Sequence, residues 1–153
     1  DGSVPLISRR GSILLDRNAS AGRKPGVARP ATDPREGLAL IARHQLVPEK
    51  VAAYSDEAEN LIHSDPETAK RFGYRAPIAA GLMAVHFMMA ALCNPTPPSQ
   101  LRMSVRFRRP MFWDEELEVW GRRTDDGVLA ALSVVNPDGK VANDCVVEDV
   151  AYD

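Results

Sequence analysis

The segment Pro77 to Leu92 (PIAAGLMAVHFMMAAL) constrains the fold of this chain more than any other, because it is apolar throughout apart from His86. From Ile78 to Cys93 alanines and methionines outnumber β-branched residues, which predicts helix rather than strand. The run falls short of the stretch of about 20 apolar residues that spans a bilayer, so the helix belongs in a protein core. A helix apolar on all sides must be covered on nearly every side. The cover follows directly in the sequence. Leu101 to Arg109 alternates, with Leu101, Met103, Val105 and Phe107 expected on one face and Arg102, Ser104, Arg106 and Arg108 on the other. Glu116 to Arg123 and Val128 to Asn136 read as further strands, and the turn Asn136-Pro-Asp-Gly139 leads into a last one, Lys140 to Ala151. One long helix followed by a meander of strands implies an α+β domain whose antiparallel sheet wraps the helix.

Upstream, residues 1–40 read as an arm or linker and residues 41–153 as the folded domain, a length that suits a single core. Val4 to Leu15 is strand-like, whereas Asp16 to Glu36 is dominated by Gly, Pro, Arg, Asn and Asp and has no periodicity. Pro48 starts a short helix expected over Pro48 to Ala53, and Asp65 can cap another that begins at Pro66 and ends at Gly73. With 44% hydrophobic and 26% charged residues, the composition excludes collagen-like, wholly disordered and membrane-embedded chains. A net charge of -2 and few aromatics argue against a nucleic-acid partner. No secretory leader is apparent at the start, so the expected location is the cytoplasm. Cys93 and Cys145 sit in apolar settings and read as reduced core thiols. Zinc-ligand spacing, a phosphate loop, a dinucleotide fingerprint and a nucleophile elbow are all missing, and neither a metal nor a cofactor is expected.

The densest chemical signal lies between Tyr54 and Leu82. Tyr54-Ser-Asp-Glu-Ala-Glu-Asn-Leu-Ile-His-Ser-Asp-Pro66, Ala69 and Gly73-Tyr-Arg-Ala-Pro-Ile-Ala-Ala-Gly-Leu82 resemble the type 2 hydratase signature of the MaoC-like family. That signature reads approximately S-G-D-x-N-P-x-H-x-D-P-x-x-A, then G-F-x-x-P-I-x-H-G-L. The resemblance covers about residues 44–153, and Val105 to Phe112 resembles the family's strand entering the dimer sheet. It implies a hot-dog fold, a long central helix wrapped by an antiparallel sheet, usually paired as a homodimer or higher oligomer. It also implies hydration of 2-enoyl thioesters, or dehydration of 3-hydroxyacyl thioesters, of coenzyme A or a carrier protein in fatty acid metabolism.

By the same resemblance His63 is the catalytic base and Gly81 offers its N–H to the developing enolate oxygen at the amino end of the helix. Asn60 braces the loop or the water. Ala80, Pro77, Tyr74 and Ile78 fall in the same stretch and are expected to line the substrate. Two positions depart from the pattern: the family's catalytic Asp falls at Ala58, and Ala80 stands where the family often carries His before the glycine. Glu57 first, and Asp56 second, are the neighbouring carboxylates that could orient His63; a solvated loop is the competing reading of both. His86 reads as a satisfied core histidine and His44 as surface. Arg102, Arg106 and Arg108 could meet the phosphates of coenzyme A. Two other functions suit the same fold: a non-catalytic hot-dog subunit that binds acyl chains or completes a partner's site, prompted by Ala58, and a hot-dog thioesterase. Finally, Val4 to Leu15 resembles the closing strand of a preceding hot-dog repeat.

Overall fold

The computed structural model describes residues 6–11 and 33–153, and the chain divides into two units, residues 1–31 and 32–153. In the first, residues 6–11 have no regular secondary structure and Leu6 and Ile7 are exposed. The rest of the expected strand Val4 to Leu15, and residues 16–32 of the linker, lie outside the described residues.

The second unit runs β1 (Ala39–Gln45), α1 (Pro48–Tyr54), α2 (Pro66–Arg71), α3 (Gly81–Leu92), β2 (Gln100–Phe107), β3 (Glu116–Arg123), β4 (Leu129–Val135) and β5 (Val141–Ala151). All strands pair antiparallel in one five-stranded sheet, in the order β1-β3-β4-β5-β2. The alternation read from the sequence sets the faces: Leu117 and Val119 of β3, Leu132 and Val134 of β4, and Cys145 of β5 point into a single buried cluster. Ala84, Met88 and Leu92, spaced four apart along α3, complete it. Full burial of a side chain such as Met88 or Leu92 stabilises by about 1.5–3 kcal/mol, so this one stripe is a main anchor of helix to sheet. The architecture is the α+β hot-dog arrangement.

Several elements differ from the sequence reading, each for a local reason. β1 had no strand signature; its register shifts between Leu40 and Ala42, which breaks the period of two that marks a strand. It also spans the boundary expected at residue 40. Helix α3 begins at Gly81 rather than Ile78, because residues 77–79 are held extended: Ala79 N–H donates to Met111 O at 2.8 Å and Trp113 N–H to Pro77 O at 3.1 Å. β2 stops at Phe107, where the next two N–H groups, of Arg108 and Arg109, both turn to Ala142 O. Phe107, expected on the same face as Leu101, Met103 and Val105, is 57% exposed. The covering of α3 is also partial. A single sheet shields one stripe of a helix, and Leu82, His86 and Ala90 on the other side stay exposed. No helix among the described residues is long and apolar enough to cross a membrane.

Candidate active site

His63 ends a short 3-10 turn, Leu61–His63, that is pinned at both ends. Asn60 caps it, its Oδ1 accepting from Ile62 N–H at 3.3 Å. Beyond it, Asp65 caps α2 through its Oδ2, which accepts from Thr68 N–H at 2.7 Å, and Pro66 supplies the first helical residue. These hydrogen bonds to Thr68 hold the Asp65 carboxyl below its ordinary range. Gly73, at a φ of 85°, then ends α2 and returns the chain toward the start of α3. The two segments meet where Ile78 N–H donates to Ile62 O at 3.2 Å.

The imidazole completes this junction. His63 Nδ1 lies 2.6 Å from Ile78 O, three residues before Gly81, and the ring is half-buried. A carbonyl oxygen only accepts, so Nδ1 carries the proton, and in the neutral ring Nε2 keeps its lone pair free for a reacting proton. Ile78 is itself fixed by an antiparallel bridge to Phe112. Behind the bridge stands a network that sequence reasoning missed. Arg75 grips Asp114 with two bonds of 2.9 Å, reaches Glu115 Oε1 at 3.1 Å and lies over the Phe112 ring at 4.0 Å. Glu115 Oε2 accepts from Phe112 N–H at 3.0 Å. Hydrogen bonding to Asp114 raises the Arg75 pKa, and hydrogen bonding to Arg75 lowers that of Asp114. The run Trp113-Asp-Glu115 was the available signal, but nothing in it names Arg75 as partner.

Gly81 is the first residue of α3, so its N–H has no intrahelical acceptor and sits at the positive end of the helix dipole. The glycine also serves close packing: a Cβ there would come within 2.7 Å of the Phe107 ring. Ala80, extended, is the residue before the helix; Pro77 is buried, and Tyr74 and Ile78 are half-buried along the same approach. The structure therefore gathers His63, Ile78, Ala80 and Gly81 around one stretch of chain.

Other predicted residues are placed elsewhere. Glu57 and Asp56 lie exposed in the 3-10 turn Asp56–Ala58, and among the described residues no carboxylate bonds His63. The left-handed backbone at Glu59, with φ 49°, turns the chain after them. Orientation of the imidazole falls instead to the Ile78 carbonyl. Arg102 and Arg106 are exposed on β2, in register with Asp149 and Asp144 of β5, and Arg108 is paired to Asp144, so this face carries both charges rather than a cationic rim. His86 is exposed rather than in the core, its Nδ1 3.2 Å from the Tyr54 hydroxyl. His44 is half-buried, stacked on Phe87 with ring centroids 4.1 Å apart. It lines a cavity of about 280 Å³ with Lys50, Met83 and Phe87; His63 is not among the lining residues.

The sequence matches no protein-family model and no curated protein. Solved structures are similar. HtdX from Mycobacterium tuberculosis is 25% identical with a TM-score of 0.67, over 88% of this chain and 51% of that one. The (R)-hydratase from A. caviae involved in PHA biosynthesis is 22% identical, with a TM-score of 0.61, over 76% of this chain and 94% of that one. A MaoC-like dehydratase from Phytophthora capsici is 21% identical, with a TM-score of 0.59, over 82% of this chain and 46% of that one. The fold is thus the hot-dog fold of the MaoC-like dehydratases and (R)-hydratases, the group the sequence motif points to.

Proposed function

We propose that the chain is an acyl-thioester hydratase/dehydratase. In the hydration direction His63 Nε2 takes a proton from water as the water oxygen bonds to C3 of a 2-enoyl thioester. The double-bond electrons pass into the thioester, whose carbonyl oxygen becomes an enolate beside the Gly81 N–H. His63 then gives its proton to C2, leaving the 3-hydroxyacyl thioester; dehydration is the reverse. One imidazole performs both transfers, with the Ile78 carbonyl fixing its tautomer. No step requires a metal or a cofactor. The thioester is carried by coenzyme A or a carrier protein. The observation that carries this reading is the 2.6 Å contact of His63 Nδ1 with Ile78 O, just before the amino end of α3.

The test is turnover of crotonyl-CoA and of longer or branched 2-enoyl-CoAs, wild type against His63→Gln. Loss of this general base should lower kcat by about 100-fold or more. Equal rates, or no turnover of any enoyl thioester by the wild type, would remove the assignment. The absence of a carboxylate bonded to His63 among the described residues favours a second reading, a non-catalytic subunit that binds acyl chains. Saturable acyl-CoA binding without turnover would select it.

A further inference from the structure

The cavity of about 280 Å³ beside His44 is lined from β1, α1 and α3, and the chemistry at His63 makes no use of it. Met83 and Phe87, one turn apart on α3, and the buried Leu46 give it apolar walls. The His44 ring lies flat on Phe87, with 7° between the planes. Its charged lining residues are Arg43 and Lys50, both exposed, and no carboxylate lines it among the described residues. We propose that this cavity is a second binding site, for a small amphipathic anion: a monocarboxylate with a medium-length aliphatic body.

Charge selects the head group. Arg43 is engaged by Glu118 at 3.1 Å and Glu116 at 3.8 Å, whereas Lys50 forms no ion pair among the described residues. One unpaired ammonium beside a largely neutralised guanidinium offsets a single negative charge, which suits a carboxylate better than a doubly charged phosphate group. The walls select the body: an aliphatic chain gains by leaving water against Leu46 and Phe87, and the flexible Met83 thioether adapts to its shape. His44 is the independent observation. Its Nε2 is buried with no hydrogen-bond partner among the described residues, a cost that a phenyl ring in the same stack would avoid. The torsion that sets the ring is soft, so a small turn presents Nε2 to the cavity, where a carboxylate held by Lys50 supplies the missing acceptor. The site is separate from the catalytic one. His63 is not among the lining residues, and Gly81 packs against Phe107 of β2, at the opposite edge of the sheet from β1. It stands whether or not the chain is a hydratase.

The probe is octanoate, followed through the Met83 methyl resonance in protein carrying methyl-labelled methionine, with Met83→Leu to assign the signal. Octanoate is expected to shift this methyl saturably. Lys50→Glu, a change at an exposed position, should weaken binding by about tenfold or more, and octanol, which lacks the charge, should bind wild type more weakly to the same degree. Acetate at the same concentration, lacking the body, should leave the methyl unmoved, and His63→Gln should bind octanoate as tightly as wild type. No saturable shift in wild type, or equal binding by Lys50→Glu, overturns the proposal. So does an equal shift with acetate, which would mean an adventitious ion only, and so does loss of binding in His63→Gln, which would put octanoate at the catalytic site.

Discussion

Glu115 offers the sharpest test of how the site is braced. Its carboxylate, with the side chain only 10% exposed, accepts from Arg75 at 3.1 Å through one oxygen and from Phe112 N–H at 3.0 Å through the other. In Glu115→Ala both donors lose their acceptor. The half-exposed Arg75 keeps its two bonds to Asp114 and the solvent, so its share of the loss is small. Phe112 N–H is left without a partner in a half-buried backbone, at about 1–3 kcal/mol. Truncating a buried stem adds further loss, so about 2–4 kcal/mol in all is expected by urea unfolding. Glu115→Gln should cost less, about 1–2 kcal/mol, since its oxygen still serves Phe112 while the charge-assisted bond to Arg75 is lost. Phe112 bridges Ile78, whose carbonyl holds His63, so turnover of enoyl-CoA should fall in Glu115→Ala at temperatures where the variant is still folded. A loss under about 0.5 kcal/mol would show that the network is only a surface ion pair and refute the bracing argument.

Two further outcomes follow from the core and from His44. Met88→Ala, at a fully buried position in the stripe that anchors α3, should lower stability by about 2–5 kcal/mol in the same unfolding assay. Desolvation lowers the His44 pKa below its ordinary 6.5, so the unfolded chain binds the proton more readily than the folded one. This contribution is harmless above about pH 6.5 and increasingly destabilising as pH falls toward the folded value. His44→Phe, which retains a ring against Phe87, should therefore lose less stability than wild type between about pH 7.5 and about pH 5.5; parallel losses would contradict the desolvation argument.

How far the sequence discloses this structure depends on whether a feature is local. Helix α3 and strands β2 to β5 are written in composition and period, because a continuous apolar run and alternating residues have few other folded uses. β1 escapes because its pairing with β3 carries a register shift and its residues are only partly buried. His63 and Gly81 are legible through the motif around them. Arg75 is not, because its value comes from Asp114 and Glu115, 39 and 40 residues away along the chain. The exposure of Phe107 is not legible for a related reason: alternation reports which face a residue takes, while its position at the open end of an edge strand decides whether anything lies over that face.

The carboxylate question can be decided by substitution. A His–Asp pair orients the imidazole and stabilises its charged form; a backbone carbonyl orients it through a neutral acceptor. The structure gives His63 the second kind of partner, and leaves Glu57 and Asp56 exposed on a turn that ends in left-handed backbone at Glu59. If that geometry persists with substrate bound, Glu57→Gln and Asp56→Asn should each leave kcat/KM within about twofold of wild type, a change under roughly 0.4 kcal/mol in transition-state stabilisation. A fall of about 100-fold, the scale of a lost acid–base partner, would mean that the turn swings its carboxylate onto the imidazole during turnover. The resting carbonyl contact would then be a waiting position rather than the catalytic one, and the single-imidazole mechanism would have to yield to a pair.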